Sequence, residues 1–328
     1  MNQKTLHALS LALGILAIGF SAIFVRLAHV PGTASAFWRV SIAGMVVIPW
    51  WLATRTPVLK NDVLLTILGG IFFALDLSFW NTSLLLTSVT TATVLANNAP
   101  LWVGLVSVIV FREKLGYLFW TGLFLAICGM IILSGPSALY LRHVNKGDFL
   151  ALTASAFYAA YLITTGRIRA RMGTVAFMAI STISAIVCLL IVNLIGHVPL
   201  GGYHSSSWLA LIGLGLVPHL AGWLLINNAL GGLKASTVSV ALLAQSAVTM
   251  LLAMPILRSF PTIFEVLGAG VVLGGIGLVT RSNWMGDADS GTTVDSGRII
   301  QPDSTIVNAD TVSGKDTLYW TQNEIVGK

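Results

Sequence analysis

A carboxylate, an indole and an amide lie close together within the mostly apolar stretch FALDLSFWNTS, residues 73–83. Asp76 and Trp80 are four residues apart and Asn81 follows directly, so on a helix the three side chains share one broad face. Such a face combines a group that can exchange a proton, a flat ring for stacking and a hydrogen-bonding amide. If this run crosses a membrane, a charge at its centre costs roughly 2.5–3.5 kcal/mol, which makes Asp76 a candidate for function. A helix–helix clamp in which Asp76 pairs with an arginine is the alternative, and the two roles are compatible.

Arg39 and Arg26 are the cations available for such a clamp. Either arginine is also suited to bind an anionic substrate, or to neutralise Asp76 when the substrate is cationic. The structural alternative for both is a side chain that extends to the lipid headgroups.

Two amides and a proline interrupt a second apolar run, at Asn97, Asn98 and Pro100. Pro100 removes a backbone hydrogen bond and frees the carbonyl near Ala96, which predicts a bend or a carbonyl that lines a cavity. Adjacent side chains on a helix point about 100° apart, so at most one of the two amides faces a central cavity. Hydrogen bonding between helices is the structural alternative.

Further polar side chains lie in the second half of the chain. His219, Trp223 and Asn227 follow one another at intervals of four residues, so they share one helix face. A packed histidine is the simpler interpretation of His219, and a role in proton transfer stays open. Gln245 lies on the next apolar run, and Glu265 lies near the start of the last one, where it reaches interfacial water or acts as a second proton site.

The composition places all these residues in a membrane protein. Hydrophobic residues make up 56% of the 328 positions and charged residues only 9%, whereas a soluble domain has about 25% charged residues. The apolar runs are continuous and long enough to cross a hydrocarbon layer of about 30 Å, so the predicted fold class is an all-α membrane protein. The net charge of +6 comes from lysines and arginines scattered in short loops, and it predicts no nucleic-acid partner.

We predict ten transmembrane helices, over residues 7–28, 34–53, 62–82, 89–111, 115–134, 148–166, 174–195, 207–229, 235–257 and 261–281. With the N-terminus inside, the inner loops hold ten basic residues and the outer side five, which favours cytoplasmic N- and C-termini. The inner set is Lys4, Arg55, Lys60, Arg112, Lys114, Arg167, Arg169, Arg171, Lys234 and Arg281, and the outer set is Arg26, Arg39, Arg142, Lys146 and Arg258. The segment RIRAR, residues 167–171, contributes most to this orientation.

The two halves of the apolar region resemble each other. A shift of 146 positions brings Asn81 onto Asn227 and Gly129 onto Gly275, while Asp76 meets Gly222 and has no acidic counterpart. Because each half has five spans, the halves must be inverted, an architecture common in secondary transporters with the site at the repeat interface. The predicted organisation is a first repeat over 1–137 (helices 1–5), a second repeat over 138–282 (helices 6–10) and a disordered cytoplasmic tail over 283–328.

Residues 80–133 resemble the EamA repeat of the drug/metabolite transporter superfamily. The shared features are an Asn-bearing span, a span with Pro100, the turn Glu113-Lys114-Leu115 and a span with spaced glycines. FWRVSIAGMVV (37–47) and SAIFVRLAH (21–29) are similar to the family's second span and to the end of its first. The resemblance covers residues 7–281 and is weaker in the second half, where Ser259 replaces Glu113 and Ser246 replaces Pro100.

The resemblance implies a ten-helix carrier of two inverted repeats in the cytoplasmic (inner) membrane. It also implies export or exchange of small metabolites, a range that includes amino acids, nucleobases, nucleotide-linked sugars and cationic drugs. The implied partners are a small-molecule substrate and the lipid bilayer, while a homodimer stays open and no cofactor or metal is expected.

The leading expectation is therefore a secondary transporter that works by alternating access, with proton coupling at Asp76 or Glu265 left open. A membrane-embedded enzyme is the second class, but the chain contains neither an HExxH nor a GxSxG motif, so we do not expect an enzyme. A channel, a receptor or a structural subunit is the third class.

Overall fold

The computed structural model describes residues 3–54, 56, 58, 60–87, 89–135, 145–169, 171–257 and 260–289. Within these ranges the chain forms fourteen α-helices and one π-helix. The first seven are α1 (Gln3–Gly19), α2 (Ser21–Ala28), α3 (Gly32–Thr54), α4 (Lys60–Leu86), α5 (Val89–Ala96), α6 (Ala99–Ile109) and α7 (Tyr117–Leu133). The others are α8 (Lys146–Arg169), α9 (Thr174–Ile195), α10 (Ser205–Leu214), the π-helix (Gly215–Gly222), α11 (Trp223–Leu230), α12 (Ala235–Ala241), α13 (Ala244–Leu257) and α14 (Ile263–Asp289).

The predicted ten spans each have a helical counterpart, which confirms the all-α fold class. In the described residues, nine helical stretches are long and apolar enough to cross a membrane, and α7 is a shorter apolar helix. At 1.5 Å per residue, the 17 residues of α7 extend about 25 Å, close to the thickness of the hydrocarbon layer. Each repeat therefore contributes five spans, and the odd number inverts the second repeat relative to the first.

Spans four and nine are both interrupted at equivalent places. The first interruption separates α5 from α6 at Asn97 and Asn98, and the second separates α12 from α13 at Leu242 and Leu243. The shift of 146 that relates the halves brings Asn97 onto Leu243. Pro100 in the first turn of α6 accounts for the predicted bend in span four. The break in span nine was not predicted, because Ser246 stands where a proline would mark it.

The core of the bundle forms around α4. This helix packs along α8, with α9 and α3 beside it, while α1 packs against α11 and the π-helix. Spans five and ten approach closely through glycine, since a Cβ on Gly275 would lie 2.5 Å from the carbonyl oxygen of Gly122. Close approach through small residues is typical of helix packing in membranes.

The basal end of the bundle is the end at which α1, α4 and α9 begin and α3, α8 and α11 finish; the opposite end is the distal end. Residues Met1–Ser282 form one compact unit, and Asn283–Lys328 are assigned to a second. The final helix extends to Asp289, beyond residue 283 where the predicted tail starts. The rest of that predicted tail, residues 290–328, lies outside the described residues.

Candidate functional site

A cluster of polar and aromatic side chains lies where α3, α4, α8, α11 and the π-helix meet. This central cluster consists of Arg39, Phe73, Asp76, Tyr158, Tyr161, His219, Trp223 and Asn227. Asp76 is ten residues from the distal end of α4 at Leu86, or about 15 Å along the helix axis. Because α4 continues past residue 82, where the predicted span ends, Asp76 lies deeper in the bundle than the sequence suggests.

Arg39 and Asp76 supply the charges of the central cluster. They interact electrostatically with each other and with Tyr158. However, their charged atoms form no ion pair within 4.0 Å, so a direct helix–helix clamp is not made. The Nη1 group of Arg39 donates a long hydrogen bond of 3.4 Å to Ser21 Oγ. Arg26 is exposed on α2 and takes no part in the cluster.

Four rings pack against one another close to these charges. The ring centroid of Phe73 lies 4.9 Å from Tyr161, 5.0 Å from Trp223 and 5.5 Å from His219. Tyr161 and Trp223 are 5.2 Å apart and almost perpendicular. This geometry provides ring faces and edges against which a flat solute can pack.

Three polar atoms in the central cluster are buried without a hydrogen-bond partner in the described part of the chain. They are Arg39 Nε, His219 Nδ1 and Trp223 Nε1. Buried polar atoms in proteins are almost always satisfied, so each exception needs an explanation such as a bound ligand or water. These three atoms are available to hydrogen-bond with a bound solute or with water.

A small cavity lies against the cluster and is lined by Phe73, Tyr161, His219, Trp223 and Asn227, among others. Its volume of about 10 Å³ is close to what one water molecule requires. A larger ligand therefore fits only if the surrounding helices move apart.

The π-helix brings His219 to this place. Its wider turn contains Pro218, which cannot donate the backbone hydrogen bond of an α-helix. At Gly215 the π-helix approaches α3 so closely that a Cβ would lie 2.7 Å from Ile42 Cβ. His219, one turn further on, interacts electrostatically with Arg39. π-Helical segments often occur at functional sites. This one places His219, from the second half of the chain, close to Arg39 from the first half.

Asn227 is the predicted site residue that connects the central cluster to the basal end. Its Oδ1 accepts a hydrogen bond of 3.1 Å from the Tyr161 hydroxyl. Its backbone oxygen accepts one of 2.9 Å from Arg169 Nε. Of the eleven residues predicted from the sequence, five lie in the cluster: Arg39, Asp76, His219, Trp223 and Asn227.

Other predicted residues have contacts outside the cluster. Asn81 is buried and donates from Nδ2 to the carbonyl oxygen of Gly32 at 2.9 Å, which ties α4 to α3. Trp80 and Gln245 are half-exposed and are not part of the central cluster.

The paired amides of span four bond to their own helix. Asn97 Nδ2 donates to the carbonyl oxygen of Thr93 at 2.9 Å. Asn98 Nδ2 donates to the carbonyl oxygens of Val94 and Leu95 at 3.0 and 3.2 Å. Neither amide nitrogen makes the interhelical bond that the structural alternative required. Instead, these bonds satisfy carbonyl groups beside the break between α5 and α6.

Glu265 belongs to a helix cap. Its Oε2 accepts hydrogen bonds from the backbone N–H and the hydroxyl of Thr262, at 2.6 and 3.1 Å. The backbone N–H of Glu265 in turn donates a hydrogen bond of 3.3 Å to Thr262 Oγ1. This capping box stabilises the start of α14 and places Glu265 away from the central cluster. The sequence TIFE, residues 262–265, carries this signal.

Three residues of the central cluster were not predicted from the sequence: Phe73, Tyr158 and Tyr161. Phe73 is three residues before Asp76, so it shares the helix face of the carboxylate. Tyr158 and Tyr161 also lie three residues apart, within the apolar run of α8. A pair of hydroxyl-bearing rings at that spacing was the available signal, but aromatic residues in apolar runs are usually core residues.

Comparison with known proteins gives consistent matches. The chain matches the EamA-like transporter family over residues 5–135 and again over residues 145–281. Two relatives from Bacillus subtilis (strain 168) are similar over most of their length. "Uncharacterized transporter YdfC" is 22% identical over 282 residues, which cover 84% of this chain and 92% of that protein. "Uncharacterized transporter YxxF" is 23% identical over 287 residues, which cover 84% of this chain and 90% of that protein.

A crystal structure of another protein has the same fold, with a TM-score of 0.73 at 20% sequence identity. The match covers 85% of this chain and 98% of the other. The double family match confirms the predicted repeat of one unit in the two halves of the chain.

Proposed function

The chain belongs to the EamA-like transporter family, and from this premise we propose that it is a secondary active transporter. It moves a small metabolite, such as an amino acid, a nucleobase or a related solute, by alternating access. The observation that carries this proposal is the central cluster, where a separated charge pair and three unsatisfied polar atoms lie between the two repeats. Sites near the membrane centre at a repeat interface are typical of secondary transporters.

The chemistry of the cluster supports a polar solute with a flat part. Arg39 offers a buried guanidinium with an unpaired Nε, which suits a carboxylate or a carbonyl oxygen. Asp76 offers an acceptor for an ammonium or an N–H group, and the rings of Phe73, Tyr161 and Trp223 suit a planar side group. Amino acids and nucleobases both combine these features.

Asp76 is the proposed site of proton coupling. It is the acidic residue of the central cluster, and a membrane-embedded carboxylate is a common proton carrier in transporters. Glu265 is less suited to this role, because both of its contacts hold the start of α14. Because Asp76 has no acidic counterpart in the second repeat, the proposed coupling lies in one half of the protein.

The breaks in spans four and nine support alternating access. A break at equivalent positions of two inverted repeats lets the outer part of each span tilt separately from its inner part. Discontinuous spans in corresponding positions of the two halves are characteristic of transporters whose site lies at the repeat interface.

The proposed location is the cytoplasmic membrane, with the basal end and both termini in the cytoplasm. The excess of lysine and arginine on the basal side supports this orientation. The proposed direction is export or exchange, and the proposal treats the chain as a carrier and not as an enzyme.

The test is solute flux in proteoliposomes under an imposed pH gradient, with amino acids, nucleobases and organic cations as trial solutes. We expect saturable uptake or counterflow of one class, and loss of gradient-driven flux in Asp76→Asn with counterflow retained. Arg39→Gln should lower affinity for the solute, while Arg26→Gln, which removes an exposed arginine outside the cluster, serves as its matched control.

Two results would contradict the proposal. Wild-type gradient-driven flux in a correctly inserted Asp76→Asn protein would remove the coupling role of this carboxylate. Absence of flux for every solute class, together with turnover of a lipid-like substrate, would replace the transporter by a membrane-embedded enzyme.

A further inference from the structure

We propose that Arg167 and Arg171 of the segment RIRAR form a clamp that holds the basal end of the bundle closed, and that this end opens when the ion pair between Arg171 and Asp62 breaks. This inference rests on the proposed alternating access, since only a transporter needs to open that end.

The ion pair joins the two repeats. Arg171 lies in the turn after α8, in the second repeat, and Asp62 lies in the first turn of α4, in the first repeat. The Nη2 atom of Arg171 is 2.9 Å from Asp62 Oδ1. The Asp62 side chain is only 5% exposed, whereas that of Arg171 is 57% exposed. A nearly buried carboxylate is thus held by an arginine that water can reach, so the pair can separate by motion of the arginine.

The other two arginines reach different elements. The guanidinium carbon of Arg167 lies 3.8 Å from the ring centroid of Phe111, in the first repeat just after α6. Arg169 donates from Nε to the backbone oxygen of Asn227 and from Nη2 to Thr174 Oγ1. The three cations therefore contact the link after α6, the end of α11 and the start of α4.

Membrane topology alone does not account for these contacts. Basic residues that only orient a span in the bilayer need to reach water or lipid headgroups. Here two of the three arginines contact the opposite repeat, at places that must separate if the basal end is to open.

A layer of buried side chains lies between the ion pair and the central cluster. Thr66 on α4 and Leu162, Thr165 and Ile168 on α8 are all fully buried. The Thr66 hydroxyl donates to the backbone carbonyl oxygen of Asp62 at 2.7 Å and lies 3.9 Å from Met172 Sδ, so this layer begins one helical turn away from Asp62. On the distal side of the layer, Asp76 and Tyr158 are half-exposed. The basal route to the cluster is therefore closed in this structure.

The experiment measures access from the basal side without any substrate. Thr66→Cys is introduced as a reporter into the full chain, with Cys128 and Cys188 replaced by serine. Its reaction with a membrane-impermeant maleimide is followed in vesicles that expose the basal end. We expect slow labelling in this background and several-fold faster labelling after Asp62→Asn or Arg171→Gln. The charge exchange Asp62→Arg with Arg171→Asp should return the rate toward the slow value.

Arg281→Gln is the matched control, because it removes an exposed basic residue at the same end of the bundle and outside the clamp. Labelling that stays slow in both Asp62→Asn and Arg171→Gln, or that rises equally in Arg281→Gln, would overturn the clamp. If Asp62→Asn fails to fold, as judged by size-exclusion chromatography, the exposed Arg171→Gln decides the matter alone.

The labelling experiment tests the clamp separately from the proposed transport function. Faster labelling in a protein that moves no solute would support the clamp and count against the transporter. Unchanged labelling in a protein that transports normally would overturn the clamp only.

Discussion

The energetic coupling between Arg39 and Asp76 is a sharp test of the central cluster. If the two charges stabilise each other across the cluster, Asp76→Asn leaves the buried guanidinium of Arg39 without its counter-charge, and Arg39→Gln leaves the half-buried carboxylate of Asp76 without its cation. Their charged atoms are more than 4.0 Å apart. At an effective dielectric constant of about 20, their attraction is therefore below about 4 kcal/mol.

We expect each single substitution to lower the free energy of unfolding, and the double substitution to cost less than the sum of the two. The coupling free energy should fall in the range of about 0.5–3 kcal/mol that interacting residues show. The assay is a denaturant titration in mixed micelles followed by tryptophan fluorescence, carried out on the wild type, both single variants and the double variant.

The control is a second double-mutant cycle, in which Arg26→Gln takes the place of Arg39→Gln. Because Arg26 is exposed on α2, Arg26→Gln and Asp76→Asn should be additive. A coupling of zero between Arg39 and Asp76, or an equal coupling in the Arg26 cycle, would refute the assignment of the charge pair.

Three further outcomes follow from individual contacts. Tyr161→Phe removes the hydroxyl that donates to Asn227 and should lower the free energy of unfolding by about 0.5–1.5 kcal/mol in the same titration. Gly275→Leu places side-chain atoms against the Gly122 carbonyl and should cost about 1–3 kcal/mol or more, whereas Gly277→Leu, where no atom lies within 4 Å of an added Cβ, should cost little. Glu265→Gln should retain wild-type gradient-driven flux, and a loss as large as that of Asp76→Asn would show that the capping carboxylate also carries protons.

The spans could be predicted from the sequence because the bilayer sets their length. Because each apolar run had to cross about 30 Å, its extent predicted the length of the helix. The odd number of spans in each repeat predicted that the second repeat is inverted relative to the first. The break in span four was predicted from Pro100. Its counterpart at Leu242 and Leu243 was not, since backbone geometry there changes without a proline or a glycine.

The site could be predicted only in part. Asp76 and Arg39 stood out because charges in a membrane are costly. The aromatic residues did not stand out, because a ring in an apolar run has the same sequence pattern whether it packs in the core or binds a solute. This applies to Phe73, Tyr158 and Tyr161. Asn97 and Asn98 were ambiguous for another reason. An amide in a membrane helix can satisfy its own backbone, and the sequence does not distinguish that from a bond to a neighbouring helix.

The ion pair between Asp62 and Arg171 also constrains how the protein is made. Synthesis proceeds from the N-terminus, so the ribosome produces Asp62 more than one hundred residues before Arg171. Until then the carboxylate at the start of α4 must remain in contact with water at the membrane surface, and Phe73 lacks Tyr161 and Trp223. The first repeat is thus left incomplete when it enters the membrane. We expect the two halves to mature together, so that a chain truncated before α8 should be recognised and degraded.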